Sequence, residues 1–369
     1  MSLLSQFSIK NIKTLIGEKA FNISSKSSQP STLDSNTYVK SGSILLQSEY
    51  PELFSKIGLI DSYAWTETSL IGVIPWEIRY GNATYVYVSS AGLVGTSANG
   101  ITWTARTSGT TSNILGLSYG NSTFVYGTVG GGLATSTDGI TWTARTSGTT
   151  STISSIAYGN STFVYGTYLG GIATSTDGIT WTARTSGTTS SIYSVIFANG
   201  VFLYGTYGGG LATSTNGITW TARTSGTTSH INALAYGNGL YVYGAAGGVL
   251  ATSTDAITWT ARTSGTTSAI GNIAYGNGIY IASVGRTNEP DLILTSSNGI
   301  TWKKTFGSNS NSDIIYLGYE NSTFFYGAGN IIGRSTNPTV PISAAYNIAT
   351  QFKIPDSLDP NVHEYYRAK

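Results

Sequence analysis

A chain of 369 residues with no cysteine and only two histidines has few routes to covalent chemistry. Without cysteine there are no disulfides, thiolate metal sites or cysteine nucleophiles, and the redox compartment stays open. His230 and His363 have no second ligand at metal spacing and read as lone surface histidines. Arginine offers more. Three arginines converging on one point can grip a carboxylate beside a tyrosine nucleophile paired with an acid. Arg79, Arg286 and Arg334 stand outside any repeat, whereas Arg106, Arg145, Arg184, Arg223 and Arg262 recur at one repeat position. Symmetry spreads the second set around the molecule. Two carboxylates could hydrolyse a glycosidic bond, but acids are scarce, and Asp138, Asp177 and Asp255 sit where an Asx turn needs them. Those turns also lack the several oxygens per loop that calcium requires. The sequence predicts no catalytic residue, no metal site and no cofactor.

What positions these groups is a repeat. The phrase STDGITWTARTSGTTS begins at 136 and returns almost unchanged at 175, 214 and 253. Seven tryptophans (Trp65, Trp103, Trp142, Trp181, Trp220, Trp259 and Trp302) form a ladder at intervals of 38, 39, 39, 39, 39 and 43 residues. Between Trp142 and Trp181 lie TISSIAY, STFVYGT, GGIATST and ITWTART, short runs rich in β-branched and aromatic residues and separated by turn signals. Four antiparallel strands per unit and a period near 40 predict an all-β protein, a β-propeller. Alternation in ITWTART puts Ile140, Trp142 and Ala144 on one side of the strand, with the Trp packed between neighbouring blades. Each Asx turn ends in Gly except Asp255-Ala256, where a positive φ would cost about 1 kcal/mol.

The ends of the ladder show how the ring closes. Trp65 has no Ser-x-Asx-Gly turn before it, and Ser335-Thr336-Asn337 has no Ile-Thr-Trp after it. The strand around Trp65 therefore completes the blade whose other strands lie near 312–336, giving seven blades and no exposed edge.

Up-and-down strands place the Tyr-Gly-Asn and Asx-Gly turns on one face, which is nearly uniform, and the remaining loops on the other, where the copies differ. Topology predicts that both flanks leave from the uniform side. On the variable face, shallow polar sites that combine aromatic faces with amides suit a carbohydrate, and the candidates are Tyr168, Tyr193, Tyr207, Arg286 and Asn288. The bland alternative is that Tyr168 and Tyr207 cover the central channel.

Composition narrows the partners. Charged residues make up 10% and the net charge is +2, so nucleic acid is not expected. The 46 glycines, 25 tyrosines and 8 prolines fit a turn-dense folded chain, neither disordered nor collagenous. No secretory signal and no membrane-spanning run are visible.

The Ser-x-Asx-Gly-x-Thr-Trp phrase resembles the Asp-box repeats of sialidase-like propellers, one residue shorter, over residues 62–337. That resemblance implies a fold; the box occurs on unrelated proteins and implies no activity. The flanks carry a second resemblance. Tyr50-Pro51-Glu52-Leu53-Phe54 with Ile57-Gly58 is similar to the Tyr-Pro-x-Leu…Ile-Gly segment of phage tail collar domains. Phe352-Lys353-Ile354-Pro355-Asp356 looks like that family's Phe-x-Leu-Pro-Asp segment, although Ser-Leu-Asp-Pro follows instead of Leu-Arg-Gly. The terminal Tyr-Tyr-Arg-Ala-Lys is similar to the ends of several tail-fibre proteins.

The resemblance implies a virion tail component, made in the host cytoplasm without a signal peptide and often homotrimeric. Residues 1–40 would be an attachment arm, 41–61 and 338–369 the two parts of a split collar-like segment, and 62–337 the inserted propeller. Residues 1–60 and 338–369 would meet other tail or baseplate proteins, and the propeller would bind a host cell-surface glycan or receptor. On this reading the chain is not an enzyme. The alternatives are an Asp-box-type glycan hydrolase, or an assembly factor whose arginines form a basic ring, as in propellers with Trp-x-Arg; here the Arg falls three after the Trp.

Overall fold

Ser136, Asp138 and Gly139 show how the repeated phrase folds. Asp138 Oδ1 accepts the N–H groups of Ile140 and Thr141, each at 2.8 Å, and the Ser136 hydroxyl at 2.9 Å. Ser136 Oγ in turn accepts the Gly139 N–H at 2.8 Å. Gly139 has φ +72°, and a Cβ there would meet Val86 of the preceding blade at 2.5 Å. The same bonds recur at Asp177 and Asp255, and through the amide oxygens of Asn99, Asn216 and Asn298. Ala256 does hold φ +58°, so it carries the left-handed cost of about 1 kcal/mol.

This turn corrects one expectation. The outer strand begins only at Thr143 (Thr143–Arg145), and both Ile140 and Ala144 are exposed. Asp138 has captured the Ile140 and Thr141 N–H groups, so those residues cannot join the ladder. The predicted alternation over ITWTART does not form.

The structure, a computed structural model, describes residues 65–70, 72–285, 292–306 and 314–335, together with four short strands in the flanks. In the second blade, Ile114–Gly120, Thr123–Thr128, Leu133–Ser136 and Thr143–Arg145 pair antiparallel in that order. Asn121 and Ser122, with φ of +46° and +56°, make the first hairpin turn, the type I′ geometry that matches strand twist. Six blades of this plan have inner strands Pro75–Gly81, Ile114–Gly120, Ile153–Gly159, Ile192–Ala198, Ile231–Gly237 and Ile270–Gly276. The seventh is built from both ends: Ile314–Glu320, Thr323–Ala328 and Ile331–Ser335, with Trp65–Ser69 added outside. Trp65 lies opposite Ser335 and Ser69 opposite Ile331. The fold is a closed seven-bladed β-propeller.

Neighbouring blades meet in shared cores. Val86, Val88 and Val94 of the first blade pack with Phe124, Tyr126 and Ala134 of the second, and Trp142 covers the cluster. The ladder tryptophans are thus inter-blade groups, as their spacing predicts. The inner strand's aromatic explains the Gly beside each hairpin. A Cβ on Gly81 would lie 2.3 Å from the Tyr119 ring, and one on Gly159 would lie 1.9 Å from the Phe197 ring. Glycine leaves room for the next blade's ring to lie against the strand, and in the fourth blade Ala198 takes its place beside Tyr236. The inner strands form no ladder with one another, so side chains bridge them: Ser155 Oγ accepts the Val195 N–H at 3.0 Å, and Asn272 Nδ2 donates to Ile315 O at 3.0 Å.

The junction of the seventh blade with the first departs from this pattern. Glu320 stands at the hairpin glycine position and accepts the Tyr80 N–H at 3.0 Å. Arg79 pairs with Glu77 and, at 3.3 Å, with Glu320. Glu77 also accepts the Leu117 N–H of the second blade, and Tyr316 donates to Ile78 O at 2.9 Å. Burial outweighs the attraction of Arg79 and pushes the Glu77 carboxyl up to about 7; burial raises Glu320 as well.

The chain divides into two compact units, Ala64–Asn337 and a unit formed by Met1–Tyr63 with Pro338–Lys369. In the latter, Tyr38–Lys40 pairs antiparallel with Tyr365–Arg367, and Ile44–Leu46 with Gln351–Lys353. The collar-like segment 50–58 and Ile354-Pro355-Asp356 lie outside the described residues.

Two opposing pH effects follow. The Thr258 and Ile257 N–H groups hold the Asp255 carboxyl down at about 2, and the Thr141 and Thr180 N–H groups lower Asp138 and Asp177. A lowered folded pKa stabilises above the unfolded value near pH 4 and is lost as pH falls through the folded one. The triple variant Asp138→Asn/Asp177→Asn/Asp255→Asn keeps the acceptor, as Asn99 does. Its thermal midpoint should fall less than the parent's between pH 4 and pH 2, and parallel curves would refute the assignment. Glu77 has the opposite sign: its contribution is complete below about 4.5 and is lost as pH rises through about 7. Glu77→Gln should therefore flatten the thermal midpoint across that upper window and leave the acid limb as it is.

Candidate functional site

Strand order fixes two faces. On the first, the hairpin turn of one blade meets the turns of the next: Asn82 Nδ2 donates to Thr137 O at 2.7 Å and to Ser122 O at 3.2 Å. Trp65 and Ser335 pair at this level, Ser335 being the counterpart of Ser136 before its Asx turn. The propeller therefore begins and ends on the uniform face. The exposed large apolar residues here are isoleucines of one repeat position, such as Ile140 and Ile179.

The opposite face carries the loops between second and third strands and the links from blade to blade. In the second to fifth blades the loop is pinned by its first N–H to the carbonyl just before the inner strand: Val129 to Asn113 at 2.9 Å, Tyr168 to Thr152 at 3.0 Å, Tyr207 to Ser191 at 2.8 Å and Ala246 to His230 at 2.9 Å. The exposed apolar residues on this face differ from copy to copy: Val129, Tyr168 and Tyr207 at the first loop position, with Ile74, Leu93, Leu169 and Ile315 at others.

Three of the sequence candidates meet there. Tyr168 (loop of the third blade) and Tyr193 (inner strand of the fourth) meet edge to face with ring centroids 5.7 Å apart. Tyr193 lies 6.3 Å from Tyr207, in the loop of the fourth blade. His230, entering the fifth blade, joins them, 3.6 Å from Tyr207 and 6.5 Å from Tyr193. Arg286 and Asn288 lie outside the described residues. Burial, and then the neighbouring Tyr193, raise the Tyr168 phenol, which keeps it a neutral donor.

These rings differ from the repeat tyrosines in how their hydroxyls are used. Tyr126, Tyr165, Tyr204 and Tyr243 donate to Ser108, Ser147, Ser186 and Ser225 carbonyls at 2.7–2.9 Å. Among the described residues, the hydroxyls of Tyr168, Tyr193 and Tyr207 have no partner.

Sequence reasoning missed two members. His230 stands where other copies have Asn113, Thr152, Ser191 and Ala269, and Leu169 stands where the second, fourth and fifth blades have Gly130, Gly208 and Gly247 and the first has Ala91. Leu169 is 77% exposed and has φ +67°. Its loop is rigid. Thr167 Oγ1 and Ser151 Oγ donate to Tyr168 O, Ser186 Oγ donates to Gly170 O at 2.6 Å, and Thr167 N–H donates to Gly171 O at 2.9 Å. A departure from glycine at one repeat position was the signal available in the sequence.

The described arginines do not gather on this face. Arg106, Arg145, Arg184, Arg223 and Arg262 lie on outermost strands, each Nε donating to a threonine of the neighbouring strand at 2.8–2.9 Å. Arg79 is saturated in the junction cluster, and Arg334 lies on the third strand of the last blade with its Nε buried and unpartnered. That junction brings together acids, an arginine and a tyrosine, but the Tyr316 hydroxyl is buried and donates to a backbone carbonyl. Among the described residues, no group of three His, Asp or Glu side chains could hold a metal ion.

No protein-family model matches the chain, and none of the curated proteins matches its sequence. Among solved structures it is similar to YCF48 from Cyanidioschyzon merolae, at 19% identity and TM-score 0.60, covering 74% of this chain and 98% of that one. It is similar to YCF48 bound to D1 peptide at 15% identity and TM-score 0.63, covering 75% and 96%. It is also similar to virginiamycin B lyase from Staphylococcus aureus at 13% identity and TM-score 0.66, covering 73% and 98%. A lyase and a peptide-bound protein share this architecture, so the likeness carries the propeller fold and no activity.

Proposed function

We propose that the chain is a non-enzymatic attachment protein of a virion tail, whose propeller binds a glycan or receptor on the host cell surface. One observation carries the reading. Non-repeating aromatic residues with unused hydroxyls cluster on the face opposite the one where the propeller begins and ends. A base held by the flanks and an outward ligand face need this arrangement. The collar-like flanking residues support the tail assignment, with other tail or baseplate proteins as partners of residues 1–60 and 338–369 and a homotrimer as the expected assembly. The hydrolase alternative has less support, because Arg79 is already paired and the turn aspartates are committed to backbone N–H groups. The basic-ring alternative is weakened because the repeat arginines are tied to threonines.

The test is to incubate the labelled full chain with a panel of bacterial strains and measure both cell-bound signal and released sugar. Retention on a subset of strains without sugar release is expected. Release of oligosaccharide from the surface polysaccharide would replace the reading with the hydrolase, and retention on no strain would overturn attachment.

A further inference from the structure

We infer that Tyr168, Leu169, Tyr193, Tyr207 and His230 form a preorganised stacking platform for an uncharged pyranose glycan. This deepens the attachment reading and rests on it. Four observations converge on these residues. Each is a place where the third to fifth blades depart from their own repeat. Their rings form one contiguous surface across three blades, with centroid separations of 3.6–6.5 Å. Among the described residues their phenol hydroxyls have no partner, in contrast to the second-strand tyrosines Tyr165, Tyr204 and Tyr243, each with a scaffold bond. Leu169 is an apolar side chain, 77% exposed, on a backbone that favours glycine. Strain kept at an exposed residue, with no burial to offset it, points to use at the surface.

The chemistry of the surface selects the ligand. A pyranose ring has an apolar C–H face that lies on an aromatic ring and a rim of hydroxyls that bonds to phenols, so a neutral sugar uses both properties of tyrosine. Among the described residues of these blades a charged ligand finds no arginine: Arg184 and Arg223 are on the outermost strands, held by Thr174 and Thr213, while the rings rise from the inner strand and the loops. A peptide strand finds no ladder to join, because the loop N–H groups of Tyr168, Tyr207 and Ala246 are bonded to Thr152, Ser191 and His230 carbonyls. The pinned loop around Leu169 keeps the ordering cost of binding low.

The experiment measures binding of the full chain to an array of neutral, sialylated and uronic-acid glycans, and to cells that retain it. The variants are Tyr168→Ala, Tyr207→Ala, Tyr207→Phe and Leu169→Gly, with Val129→Ala, at the equivalent loop position of the second blade, as a control. Thermal midpoints report folding. Neutral glycans should bind; each Tyr→Ala should weaken binding at least tenfold, Tyr207→Phe and Leu169→Gly several-fold, and Val129→Ala not at all. Leu169→Gly should also raise the thermal midpoint, a gain in stability with a loss of binding that a merely structural residue would not show. Selective binding of sialylated or uronic glycans would overturn the uncharged class. Retention on cells through a surface protein, with no glycan bound, would overturn the glycan. Cell retention unchanged in all variants would overturn this site and leave the attachment reading intact. Glycan binding that the variants abolish, in a parent that no cell retains, would support the platform and overturn attachment.

Discussion

The ring stands or falls on the junction where Trp65–Ser69 lies against Ile331–Ser335. A chain of antiparallel blades ends in an open sheet edge unless its two ends share a blade, and unpaired edges invite association. Here the first strand of the propeller supplies the outer strand of the last blade, so the chain cannot close until its final three strands are in place. The junction is also chemically unlike the other six contacts. Elsewhere a small residue receives the next blade's ring, glycine at five junctions, as Gly159 receives Phe197, and Ala198 at the sixth. At closure Glu320 takes the glycine's place, and Glu77, Arg79 and Tyr316 replace the small polar bridges used between ordinary blades. The outer pair is inverted as well. Arg145 reaches Thr135 in the second blade, while in the last blade Thr68 occupies the arginine position and Arg334 the threonine position. A half-buried ion cluster is a weak source of stability, but it marks one partner as different from all others. In a ring of near-identical blades, that distinction separates closure from the addition of another copy.

The repeat made most of the fold legible. Four strand signals and a turn recur in every unit, and the two incomplete ends of the tryptophan ladder together make one blade. What could not be read was set by atoms outside the local pattern. Alternation assigned Ile140 to the outer strand, whereas Asp138 takes its N–H and that of Thr141, delaying the strand to Thr143. The candidate site was legible in part for the same reason. Tyr168 and Tyr207 hold one repeat position and stand out in an alignment of the copies. Tyr193 and His230 hold two other positions, and only the packing of three successive blades brings them to the same rings. Likewise, nothing in the spacing of Glu77 and Glu320, at opposite ends of the propeller, announces that one arginine lies between them.

The scaffold and the site divide the work in a way that makes the site cheap to vary. The loops of the second to fifth blades are fixed by the same bonds: the first N–H to the link carbonyl and a serine hydroxyl to the third carbonyl. None of these bonds involves the side chains at the first two loop positions. The first position can be Val129, Tyr168, Tyr207 or Ala246 with the same anchorage. The second position requires a left-handed backbone, which glycine adopts freely and Leu169 does not. The third is closed to change, because a Cβ on Gly170 would sit 2.3 Å from Thr188 O. Variation is thus channelled into side chains that point to solvent, while its energetic consequence stays inside a loop held by its own hydrogen bonds. Leu169 is the extreme case. The bonds around it absorb a strained residue without passing the strain to the core, and so a folding repeat can carry a surface that is not repeated.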